Sequence, residues 1–101
     1  MSKKKQEAVE ITTFKLKGYT CQQFIEANEE VDLFLKRQPG FKSRRIFEQD
    51  GVIVDMLIWD TVANGTKSMH RLMKELSDSV VHEMIDQRTV SWNISTVEHA
   101  I

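Results

Sequence analysis

RQPGFKSRRIFEQDGVIVDMLIWD, residues 37–60, reads as two β-strands joined by a tight turn at Asp50-Gly51, with one carboxylate, Asp55, set inside an otherwise apolar run. Asp-Gly is a strong signal for a two-residue hairpin because both central residues must accept positive φ. Strands over residues 41–49 and 52–59 follow. The turn fixes their register, so Gln49 faces Val52, Ile46 faces Asp55 and Arg44 faces Leu57. One face then carries Phe41, Ser43, Arg45 and Phe47 with Val52, Val54, Met56 and Ile58. The other carries Lys42, Arg44, Ile46 and Glu48 with Ile53, Asp55, Leu57 and Trp59.

Upstream of the hairpin, residues 8–16 (AVEITTFKL) are rich in β-branched and aromatic side chains and end before Gly18, which suits a strand. Thr20 and Gln23 have the spacing of a capping box, and Tyr19 and Phe24 that of a hydrophobic staple. The helix they open presents Phe24, Asn28, Val31 and Leu35 on one face, carries Lys36 and Arg37 at its negative end, and stops at Pro39-Gly40. Downstream, Asp60 or Thr61 caps a second helix to about Leu76, with Met69, Leu72, Met73 and Leu76 on its inner stripe and Gly65 weakening its first turns. A short helical segment around residues 80–85 follows. The alternation of Val90, Trp92 and Ile94 with polar residues then marks a last strand. The order strand, helix, strand, strand, helix, strand predicts an α+β, ferredoxin-like antiparallel sheet with both helices on one face.

A chain of 101 residues has room for one domain, placed here at residues 8–97 between a basic tail at 1–7, with Lys3, Lys4 and Lys5, and a second tail at 98–101. Hydrophobic residues make up 41% and the formal net charge is −1, so there is no electrostatic footprint for nucleic acid or an anionic membrane. A single cysteine, no signal peptide and no apolar run of membrane-spanning length predict a cytoplasmic protein without internal disulfides. Both faces of the hairpin are substantially apolar, and helices on one side bury only one of them. A second copy is the simplest cover for the other, so a homodimer is expected.

The run FIEANEEVDLFLKRQPGFKSRRIFEQDGVIVDMLIWDT resembles the antibiotic-biosynthesis-monooxygenase-like branch of the dimeric α+β barrel superfamily. The shared pattern is an Asn in helix one, Pro-Gly-Phe, an Arg pair, Asp-Gly, an Asp four residues before a Trp, and a Ser or Thr cap. The resemblance spans roughly residues 8–97. It implies a homodimeric α+β barrel with a small-molecule pocket in each subunit between sheet and helices, and a range of tasks that includes oxidation of aromatic polyketides by oxygen without metal or flavin. Fold alone does not choose among these tasks. Haem-degrading members use an Asn in strand one, a Trp ending strand three and a His in helix two. Trp59 matches the second, His70 is a candidate for the third, and ITTFKL contains no Asn.

Asp55 lies on the same strand face as Trp59 and diagonal to Arg44, at a Cβ separation of roughly 7 Å that long side chains close. On the resemblance this face looks toward the helices, where Asn28 is the one polar member of the first helix's stripe. Asn28, Arg44 and Asp55 have two readings: a structural polar network under helix one, or a group that orients the polar end of a ligand walled by Leu57, Trp59, Ile46, Met69 and Met73. Candidate acids or bases are His70, His82 and Asp55. The spacing of His70, His82 and His99 excludes a helical metal pair, so no metal and no cofactor is expected. Cys21, at a helix start, is a weak candidate nucleophile with nothing placed to activate it. Two functions remain: a cofactor-independent enzyme on a small aromatic or apolar molecule, or a non-catalytic, stress-related or ligand-binding barrel. Haem breakdown is a minor alternative.

Overall fold

The computed structural model describes residues 6–101, so the basic cluster Lys3, Lys4 and Lys5 lies outside the described residues. Strands β1 (Ala8–Leu16), β2 (Phe41–Gln49), β3 (Val52–Trp59) and β4 (Ile85–Thr96) form one antiparallel sheet in the order β2-β3-β1-β4. Helices α1 (Cys21–Ala27), α2 (Glu29–Lys36), α3 (Val62–Glu75) and α4 (Val81–Met84) cover one face. This is the ferredoxin-like α+β arrangement expected from the sequence.

The hairpin is built as its turn demands. Asp50 and Gly51 have φ of 52° and 78°, and Gln49, Ile46 and Arg44 pair with Val52, Asp55 and Leu57. On β3 the helix side is buried at Ile53, Asp55, Leu57 and Trp59, while Val52, Val54, Met56 and Ile58 on the other side are half-buried. The register holds only as far as Ser43. A bulge between Phe41 and Ser43 pairs Phe41 with Trp59 and Ser43 with Ile58. Phe41 therefore joins the helix-side core, its ring 5.5 Å from that of Trp59 in an edge-to-face contact, and not the outer face that strict alternation assigns it. Lys42 is turned out to solvent, where it meets Glu7 at 3.0 Å. Glu7 belongs to the expected tail, yet its carbonyl accepts a hydrogen bond from the amide of Val97.

The first helix is two helices. Its capping box is formed, with Gln23 N donating to Thr20 Oγ1 and Thr20 N to Gln23 Oε1. At Asn28 the backbone leaves helical geometry (φ −88°, ψ 8°), and its N–H bonds to Ile25 O instead of continuing the regular ladder. The freed carbonyl of Phe24 is taken by Asn28 Nδ2 at 2.7 Å, so the break is capped from within. Helical spacing alone cannot show this, because Asn28 still falls on the buried stripe.

Thr61, not Asp60, caps α3. Gly65 in that helix has a packing reason that its low helix propensity hides: a Cβ there would come within 2.8 Å of the Trp59 ring. The small residue lets α3 lie directly on the indole. The last strand is longer than expected from alternation, starting at Ile85, with a pairing irregularity between Thr13 and Lys15 bridged by Lys15 N donating to Thr89 Oγ1.

Candidate functional site

A cavity of about 360 Å³ lies between the inner face of the sheet and the helices. Its walls are mostly apolar and aromatic, from Phe14, Phe24, Leu35, Leu57, Leu72 and the two tryptophans. Asn28, Arg44, Asp55, Met69, Met73 and His82 also line it, so the geometry brings together the expected ligand-facing residues other than Ile46, with one histidine. Met73 is half exposed and stands at the rim. His70 is exposed on α3 and does not reach the cavity. Ile46 packs against the core without lining the cavity.

Arg44 organises one wall. Its Nε and one terminal nitrogen grip Asp55 at 3.0 and 2.7 Å, that same terminal nitrogen donates to Asn28 Oδ1 at 2.8 Å, and the other reaches Asp32 at 2.8 Å. The Arg44 and Asp55 side chains are only 9% and 12% exposed, whereas Asp32 is 48% exposed. Burial works against the guanidinium's charge, but the bonds and charges of Asp55 and Asp32 more than offset it, and its pKa is raised. Asn28 is thereby committed at both ends of its amide, to Phe24 O and to Arg44. This network ties β2, β3 and the α1–α2 break together.

The same sheet face, two strands from Arg44, holds a residue that the sequence reading passed over. Glu10 is 6% exposed, and its two carboxylate oxygens accept from two indoles: Oε1 from Trp59 Nε1 at 2.8 Å, and Oε2 from Trp92 Nε1 at 2.7 Å. Burial pushes its pKa up. The two indole bonds and Arg44 pull it back, and the Asp55 charge adds to the rise. The signal was available in AVEITTFKL: Ala8, Glu10, Thr12 and Phe14 share one strand face, and a glutamate there is a charge on the core side. Trp92 and the fully buried Ser68 complete the unanticipated lining.

His82 Nε2 lies 2.9 Å from Leu76 O, and since a carbonyl only accepts, Nε2 carries the proton. Cys21 departs from the nucleophile reading: burial, then the charge of Glu48, push its thiol pKa up, the direction that suppresses thiolate. His99 is exposed near the C-terminal end. Among the described residues no group of three or more His, Cys, Asp or Glu is arranged to hold a metal ion, and no helix is long and apolar enough to cross a membrane.

No family model matches the chain, and no curated protein matches it in sequence. Solved structures do match its shape. SnoaB, a cofactor-independent oxygenase from Streptomyces nogalater, is 15% identical with a TM-score of 0.74, covering 95% of this chain and 97% of that one. The monooxygenase from the gene ActVA-Orf6 of Streptomyces coelicolor, in complex with nanaomycin D, is 16% identical with a TM-score of 0.74, covering 96% and 92%. An antibiotic biosynthesis monooxygenase-like protein from Nitrosomonas europaea is 14% identical with a TM-score of 0.72, covering 98% and 97%, so over almost its whole described length the chain has the fold of such α+β proteins.

Proposed function

We propose that this chain is a homodimeric small-molecule protein that acts as a cofactor-independent monooxygenase on a small aromatic substrate. The observation that carries the reading is the cavity itself: an apolar, indole-walled space of about 360 Å³ with its few polar groups held on two sides. Two of the proteins that share the fold are named for oxygenase activity, one of them in complex with nanaomycin D, which supports the direction of the reading. The outer face supports the dimer. Val54, Met56 and Ile58 are half-buried there, and Ile11 and Phe47 are 37% and 44% exposed with no helix of the described residues above them.

The chemistry such a cavity supplies is confinement and desolvation. A substrate that is itself electron-rich gives up two hydrogens and four electrons in all: one atom of dioxygen stays on it as a carbonyl and the other leaves with the two hydrogens as water. The protein's part is to hold the ring between the indoles and to manage the proton. The test is tryptophan fluorescence with hydroxylated polycyclic aromatics, quinones and haem, followed by dioxygen uptake with any compound that binds. Saturable quenching by a two- or three-ring aromatic with oxygen consumption supports the reading. Binding without uptake leaves the non-catalytic barrel, and no saturable response to any compound overturns the pocket.

A further inference from the structure

The two carboxylates that line the cavity are held in opposite ways. Asp55 has a guanidinium on both oxygens; Glu10, equally buried, makes no ion pair among the described residues and is held by two neutral N–H donors. A carboxylate offers about four lone-pair positions. The indoles take one on each oxygen and leave acceptor capacity on both, in a group whose orientation is fixed from two sides and which lines the cavity.

From these contacts we infer that Glu10 is the cavity's proton acceptor, taking the hydroxyl proton of a bound neutral aromatic that carries a phenolic or enolic O–H. The inference rests on the small-aromatic reading of the cavity and names what that molecule must present. In the step the ligand's O–H bond breaks and an O–H bond forms on a Glu10 oxygen; the ligand oxygen keeps the electron pair. No electron is lost and no oxidant is needed. The negative charge passes from a buried carboxylate to a delocalised ring, the form an apolar wall tolerates better. Burial raises the pKa of Glu10 above its ordinary value, the direction that makes it a stronger proton acceptor.

The surrounding charges select against anions. The titratable or charged groups that line the cavity around Glu10 are Asp55 on β3, Arg44 on β2 and His82 on α4. Arg44 is already spent on Asp55 and Asp32. The segments lining from α1, α2, α3 and β4 present apolar or neutral side chains, such as Phe24, Asn28, Met69, Ser68 and Gln87. An aromatic carboxylate would face Glu10 without a free cation.

Glutamine at position 10 would set an amide N–H against one indole N–H, so Glu10→Gln can perturb folding as well as chemistry. Trp92→Phe, which removes one donor and keeps the acid, is therefore tested beside it. The probes are 2-naphthol, its methyl ether and 2-naphthoate, titrated by fluorescence from pH 5 to 9 against wild type and both variants. In wild type we expect 2-naphthol to bind at least about tenfold more tightly than the ether above the Glu10 titration, the worth of one charge-assisted hydrogen bond, with that ratio collapsing as pH falls. Naphthoate binds most weakly. Trp92→Phe moves the midpoint of the ratio upward, since the lost bond favoured the charged form, and folded Glu10→Gln shows no midpoint. A purely structural Glu10 predicts none of these shifts. Equal binding of naphthol and ether at every pH overturns the inference and leaves the pocket standing. So does a midpoint unmoved by Trp92→Phe, or one that survives in Glu10→Gln and so does not belong to Glu10. Failure of all three probes to bind overturns both readings.

Discussion

Asp55→Ala removes the partner that holds both Nε and a terminal nitrogen of Arg44. The guanidinium is left 9% exposed in the folded protein, with Asn28 and the half-exposed Asp32 as its remaining acceptors. Breaking a buried ion pair by deleting one member costs about 3–5 kcal/mol, most of it the stranded charge. Asp32 and Asn28 compensate in part, so the lower end, about 3 kcal/mol, is expected here. At about 4–8 °C per kcal/mol for a domain of this size, the midpoint falls by roughly 12–24 °C. The assays are thermal unfolding for the midpoint and urea unfolding for the free energy, both at fixed protein concentration since association would shift the apparent values, with the denaturant slope compared to confirm two-state behaviour. Asp32→Ala is the internal control: at 48% exposure its bond is solvent-screened and its loss should cost less than about 1 kcal/mol. A cost below about 1 kcal/mol for Asp55→Ala, or equal costs for the two variants, would refute the placement of the charge on the buried wall.

Gly65→Ala gains helix propensity worth about 1 kcal/mol but drives a Cβ to 2.8 Å from the Trp59 ring. A net loss of roughly 1–3 kcal/mol from overpacking is expected, and a stabilised variant would show that α3 can back away from the indole. Glu10 has a folded pKa raised above its ordinary value of 4.5, so its contribution is fully present below that value and is lost as pH rises through the folded pKa. Wild type should therefore lose stability over that window relative to Glu10→Gln, and identical slopes would refute it. Ile11→Lys places a charge on the uncovered sheet face; sedimentation should give twice 11.8 kDa for wild type and a single mass for the variant. A wild-type monomer at micromolar concentration would remove the dimer from the proposal.

The hairpin was legible because its signals are local: Asp50-Gly51 demands positive φ, the turn sets the register, alternation puts Asp55 on the same face as Trp59, and register brings it within reach of Arg44. The Arg44 network could be read from that pairing plus the single polar residue in a helical stripe. What escaped depends on departures from regular period. A bulge at Lys42 moved Phe41 from one face to the other, and helix geometry carries no mark of the break that Asn28 caps with its own amide. Gly65 looked like a weak helix residue because propensity is local, while its reason, the Trp59 ring, comes from another element. Glu10 was legible by alternation but lay in a strand read for its β-branched content alone. Its partners, Trp59 and Trp92, are far away in sequence and meet it only because β1 sits between β3 and β4.

That central position of β1 also explains why the two buried carboxylates end with different work. In the paired rows of the sheet Arg44, Leu57, Glu10 and Ile94 lie side by side, and in the next row so do Ile46, Asp55, Thr12 and Trp92. Asp55, one strand from Arg44, is in reach of its guanidinium and takes it on both oxygens. Glu10 is two strands from Arg44; its direct neighbours Leu57 and Ile94 offer no polar group, and its donors are the indoles diagonal to it on either side. One carboxylate is therefore neutralised and spent on holding the helix break to the sheet. The other has no ion pair among the described residues, at a site where burial favours its protonated form. Two buried acids with different partners, one gripped by a guanidinium and one held only by neutral N–H donors, suit divided roles, one fixed and one able to exchange a proton. In this cavity the exchangeable one is Glu10.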